Sequence, residues 1–207
     1  MFSKWKPHMK IALALVILLA ACGQSTGSVP AVWEKFEGEG FELSLPESFA
    51  GGSTAEELAA VVEMFRDAGQ ESLAEDVETR PSSSVFYGVD SAQINPEKIE
   101  TTVTIFKDQN NQFGEWSLED YVNWYASILE QGGDYTELDS RNIEIDGIEA
   151  HVQIGEYDLG PSGGVIAEEY AIKIGDIVWS IIYSTDSSEY EARKSDFEIS
   201  ALSFNLN

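Results

Sequence analysis

A chain of 207 residues with 37 Asp and Glu against 12 Lys and Arg carries a net charge of −25 at neutral pH. That field argues against nucleic acid as a partner, since phosphates are held by Lys and Arg, and it repels anionic headgroups, so the protein's own surface does not hold a membrane. A single cysteine excludes an internal disulfide and leaves a hydrophobic core to supply stability. The acids are scattered, as on a solvated or salt-tolerant surface. Divalent-cation binding and a basic partner are the functional readings of the same charge.

The first ten residues hold Lys4, Lys6 and Lys10, and residues 11–21 are apolar throughout. The run is shorter than the roughly 20 residues a spanning helix needs, and it has the basic-then-apolar order of an export signal. It ends at Leu19, Ala20, Ala21 and the lone Cys22. This stretch resembles the lipobox that signal peptidase reads in bacterial lipoproteins. The resemblance implies that Cys22 takes a diacylglyceryl group and becomes the N-terminus after cleavage. Two or three acyl chains hold a membrane stably, where one binds only marginally. An ordinary signal peptide or a short signal anchor is the alternative, but a free thiol in an exported protein is open to oxidation. Gly23 stands where an inner-membrane retention aspartate is common, which leans towards the outer membrane in a two-membrane cell. In a one-membrane cell the outer face of the cytoplasmic membrane is expected. Residues 1–21 are thus read as a lipoprotein signal peptide and 22–32 as a small, polar, flexible tether. Residues 33–207 are read as a single domain. Loss of the leader removes three bases and no acid, leaving a net charge of −28.

Alternation predicts early strands at 41–45, 85–89 and 101–106. Thr54, three residues ahead of Glu57, makes a capping box for a helix over 54–68 that ends before Gly69. Leu58, Val61, Val62 and Phe65 are its apolar stripe. A second helix is predicted over 117–131. Ser117 caps it, Trp116 staples onto Tyr121, and Gly132-Gly133 stops it. From about 140 to 185, Asp146-Gly147 and Gly175-Asp176 read as hairpin turns and 159–164 as a further turn, giving four consecutive antiparallel strands. In the last of them Ile177, Trp179, Ile181 and Tyr183 face one way, and Val178 and Ile182 the other. Apolar residues on both faces mean a sheet covered on both sides. A third helix over 188–200 completes an α+β order.

Catalysis needs a titratable group poised near neutrality or an activated nucleophile. Beyond the leader the one histidine is His151, on the polar face of a predicted strand with Glu149 and Gln153, and it reads as a solvated surface residue. No G-x-S-x-G elbow presents a serine, and Ser82, Ser83 and Ser84 read as a turn. Zinc lacks its Cys and His ligands. Asp108, Asn110, Gln112 and Glu119 fall at offsets 1, 3, 5 and 12 of a calcium loop. Yet Phe113 takes the position that needs glycine, and Ser117 starts a helix inside the loop, so no metal or cofactor is expected. Trp124 and Tyr125, near Asn123 and Asp120 at the edge of the helical stripe, are candidate partner anchors, with core packing as the plainer role.

Leu45-Pro46-Glu47-Ser48-Phe49 after the first strand, the helix start Ser117-Leu118-Glu119-Asp120-Tyr121 and the closing helix ending Ser203-Phe204 resemble the PsbP-like families. These include the PsbP subunit of photosystem II and small bacterial lipoproteins of LpqN type. The resemblance spans roughly residues 33–207. It implies an antiparallel β-sheet sandwiched between α-helices, an α/β/α sandwich, in a non-catalytic accessory or ligand-binding protein. The lipid tether departs from the plant subunit, so no binding residue carries over. The expectation is an exported, membrane-anchored lipoprotein acting without catalysis as an accessory or assembly subunit of an envelope complex. The alternative is a binding module for a small ligand or divalent cation, for which a deep pocket between sheet and helix would decide. A hydrolase ranks last, since it needs two close carboxylates in a cleft, one of them with a raised pKa.

Overall fold

The structure is a computed structural model and describes residues 29–95, 99–132, 134–160 and 163–207. Leu19, Ala20, Ala21 and Cys22, with the rest of the leader, lie outside the described residues. No helix among the described residues is long and apolar enough to cross a membrane.

In chain order the elements are β1 (Trp33–Gly38), β2 (Phe41–Pro46), β3 (Phe49–Gly52), α1 (Ala55–Asp67), α2 (Glu71–Glu78), β4 (Ser84–Asp90) and β5 (Thr102–Gln109). There follow α3 (Leu118–Gly132), β6 (Tyr135–Ile145), β7 (Ile148–Asp158), β8 (Gly164–Ile174), β9 (Ile177–Asp186), α4 (Tyr190–Leu202) and β10 (Asn205–Leu206). Two sheets result, a three-stranded one in the order β1-β2-β10 and a seven-stranded one in the order β3-β4-β5-β9-β8-β7-β6. All pairings are antiparallel.

Local chemistry sets the punctuation. Glu57 donates its backbone N–H to Thr54 Oγ1 at 3.2 Å, and the Thr54 N–H donates to Glu57 Oε2 at 3.0 Å, closing the capping box of α1. At the start of α3 the Asp120 N–H donates to Ser117 Oγ at 3.0 Å and the Ser117 N–H to Asp120 Oδ2 at 2.8 Å. Asp146 (φ 50°) and Gly147 (φ 76°) turn β6 into β7 through two positive φ angles, the geometry that favours Asp-Gly.

The large sheet is covered on both faces. Phe86, Ile105, Tyr170 and Ile181 pack on one face with Phe41 and Leu43 of β2 and Phe197 of α4. On the other, Val61 and Phe65 of α1 and Val77 of α2 cover Val89, and Tyr121 of α3 packs with Ala171 and Val178. The α+β sandwich expected from the two-sided strands is present. One of its outer layers differs: α4 shares it with the small sheet, whose strands β1 and β10 alternation did not pick out.

Candidate functional site

Where α3 crosses the sheet it leaves a cleft of about 240 Å³. Glu169 of β8 lines it, placed by register opposite Gln153 of β7 and Ile182 of β9. Tyr125 and Leu129 come down from α3, Tyr135 enters from β6 and Tyr157 from β7. The rings of Tyr135 and Tyr157 lie 5.2 Å apart, and Tyr125 stacks parallel to Tyr121 at 6.1 Å. Gly155 makes room for this arrangement, because a Cβ there would overlap the Tyr135 ring.

Glu169 is only 7 % exposed. Burial pushes its carboxyl up to about 7; the Ser180 and Tyr125 hydroxyls oppose the shift and Asp108 adds to it. Those hydroxyls do not reach Oε1 in hydrogen-bond geometry: Oε1 is buried and accepts no hydrogen bond from a described residue, and the Tyr135 hydroxyl is equally without a partner. Gln153, 5 % exposed, donates from Nε2 to Glu137 Oε2 at 3.2 Å. Burial, and next the Glu169 charge, push the Tyr125 hydroxyl above its ordinary range. Among the described lining residues Glu169 is the one carboxylate. The acid pair that hydrolysis would need is not among them.

His151 shares this face of β7. It is half-buried, not the solvated residue the alternation suggested, because β6 and the neighbouring strands crowd it. Its ring nitrogens meet Ser140 Oγ at 3.1 Å and Asn142 Oδ1 at 2.7 Å. Burial lowers its pKa, with Glu137 pulling the other way. The strand's polar face therefore grades from exposed at Glu149 through half-buried at His151 to buried at Gln153.

Trp124 and Tyr125 diverge. Trp124 is 41 % exposed and Ile128, one turn on, 44 % exposed. The Trp124 ring rests against Phe113 at 6.0 Å, Trp116 at 5.7 Å and Tyr121 at 5.7 Å. Tyr125 instead lines the cleft. The series from Asp108 to Glu119 is a strand-to-helix connection: Asn110 Oδ1 accepts from the Gln112 N–H at 3.0 Å, and Phe113 is buried among aromatic rings. Among the described residues no three His, Cys, Asp or Glu side chains converge on a metal position.

Two other buried carboxylates among the described residues have partners. Glu168, on the opposite face, accepts from the Tyr170 hydroxyl at 2.5 Å and the Tyr190 hydroxyl at 2.9 Å. Asp90 pairs with Arg193 at 2.7 Å, tying the end of β4 to α4.

Two solved structures share this architecture. Cyanobacterial PsbP (CyanoP) from Synechocystis aligns with a TM-score of 0.54 and 13% identity, covering 91% of this chain and 99% of its own. LpqN of Mycobacterium tuberculosis, a protein involved in cell envelope biogenesis, aligns with a TM-score of 0.55 and 8% identity, covering 84% of this chain and 90% of its own. The fold is PsbP-like. At these identities the PsbP-like likeness is one of fold alone. No family pattern matches the sequence, and no curated protein matches it.

Proposed function

We propose that the protein is exported, anchored through acyl chains on Cys22, and works in the cell envelope by binding, as an accessory or assembly subunit of an envelope complex. The observation that carries this reading is the outward ridge of α3, where Trp124 and Ile128 stand exposed over a bed of aromatic rings. Such anchors are what partner surfaces select. Glu119 and Asp120 are exposed beside the ridge, and the chain is strongly acidic, so the partner is a protein with an apolar socket rimmed by Lys and Arg. Involvement of the PsbP-like LpqN in cell envelope biogenesis supports the same compartment.

Cross-linking in intact cells tests it. One recurring near-stoichiometric envelope protein is expected, lost in Trp124→Ala with the melting temperature shifted by only a few degrees. A Cys22→Ser chain is expected in the soluble exported fraction. No recurring partner, or unchanged capture by Trp124→Ala, counts against the reading.

The cleft favours a second reading, a small-ligand module. The one carboxylate among its described lining residues suits an organic molecule better than a divalent cation, since calcium takes six to eight oxygens.

A further inference from the structure

We propose that the cleft beneath α3 binds a small organic cation, an alkylammonium with at least one N–H, donating to Glu169 Oε1. This rests on the small-ligand reading and names its chemistry.

Two buried oxygens in one cleft, Glu169 Oε1 and the Tyr135 hydroxyl, have no hydrogen-bond partner among the described residues. A buried acceptor without a donor is costly, and native structures rarely keep one without a reason. None of the described hydroxyls or amides that line the cleft reaches Oε1, and no Lys or Arg is among those residues, so a bound ligand's N–H is the donor that fits. Tyr125, Tyr135 and Tyr157 wall the same space, and tyrosine ring faces attract cations. A quaternary ammonium would leave Oε1 without its donor, so the ligand needs an N–H. Leu129 and Ile182 offer apolar surface for a short alkyl chain. The volume of about 240 Å³ equals roughly eight waters of liquid, which sets the ligand's size.

The surrounding charges agree in sign. Tyr121 and Tyr125 face Glu169 from α3, Asp108 from β5, Ser180 from β9 and Tyr157 from β7. Tyr135 faces it from β6, where Glu137 also holds Gln153. Burial lowers the pKa of His151, on the same face of β7, and so works against a positive charge there. The acids among these groups add negative potential, and the chain's charge of −25 concentrates cations around it. Burial pushes Glu169 up to about 7, so an ammonium ligand, which favours the ionised carboxylate, binds well above that pH and is expelled below it.

Isothermal titration of the full-length chain in nonionic detergent tests this, with n-butylammonium chloride, n-pentanol as the neutral match and sodium butyrate as the anion. Butylammonium is expected to bind at pH 8 and to lose about 30-fold in affinity at pH 5.5, as the ionised fraction of a carboxyl near 7 falls. Glu169→Gln is expected to abolish binding. Full affinity in that variant overturns the site. Pentanol or butyrate binding as tightly, or amine affinity rising in acid, overturns the cationic ligand and leaves the small-ligand reading standing. No binding by any of the three probes overturns both. The pH comparison uses the unmodified chain, so the proposal stays falsifiable should the variant not fold.

Discussion

Glu168 and Glu169 are adjacent acids on β8 that face opposite sides of the sheet, and their surroundings set them apart. Glu168 has two tyrosine hydroxyls to accept from; Glu169 Oε1 accepts from no described residue. Burial raises Glu169 to about 7, and in a folded protein that shift acts on stability. Between about 4.5 and 7 the native carboxyl keeps a proton that the unfolded chain has released. The cost is therefore absent below about 4.5, grows as pH rises, and is complete above 7, where it reaches about 3 kcal/mol. Glu169→Gln is expected to be the more stable chain at pH 8 by an amount of that order. The gap should close at pH 4.5, as denaturant melts at the two pH values will read. Gly155 carries a second expectation. Its missing Cβ is where the Tyr135 ring sits, so Gly155→Ala should displace that ring and cost about 1–3 kcal/mol in the same melts.

At the scale of elements, legibility followed the reach of the signal. α1 announces itself within four residues through Thr54 and Glu57, and the box is present in the fold. Thr54→Ala should lower stability by about 1 kcal/mol, seen as a drop in melting temperature of about 2–4 °C. α2 gave no such notice. It has eight residues and no side-chain cap, and its Ala74 and Val77 are buried in the cluster shared with α1. β3 was equally silent, being Phe49-Ala50-Gly51-Gly52, in which the glycines answer to neighbours and not to strand propensity: a Cβ on Gly51 would overlap the Tyr87 carbonyl of β4. β1 alternates weakly, with Lys35 drawn to Glu42 of β2 at 2.6 Å. α3 was legible as a helix from its spacing, but its two working faces were not. The stripe that predicted burial for Tyr125 does not say that its ring closes a cleft, nor that Trp124, one residue earlier, stays half outside.

Over the whole molecule, repulsion among 37 acids outweighs what 12 bases can offset. Arg66 gathers Glu63, Glu71 and Glu78, but exposed pairs of this kind are worth little. Raising sodium chloride from 10 mM to 0.5 M is therefore expected to raise the melting temperature, because screening relieves more repulsion than attraction; a fall would place the balance in the ion pairs. The amino-acid sequence by itself determined the α+β class, the three longer helices, the hairpins at Asp146-Gly147 and Gly175-Asp176 and the double-sided sheet. Each of these is written in residues one to four positions apart, the range over which backbone hydrogen bonds and side-chain periodicity act. Only the tertiary structure decided the small second sheet, which joins β10 to β2 across most of the chain. It alone decided the cleft, which brings Tyr125, Tyr135, Gly155 and Glu169 together from four elements. Desolvation and missing hydrogen-bond partners depend on what packs overhead, and no local spacing in the chain encodes that.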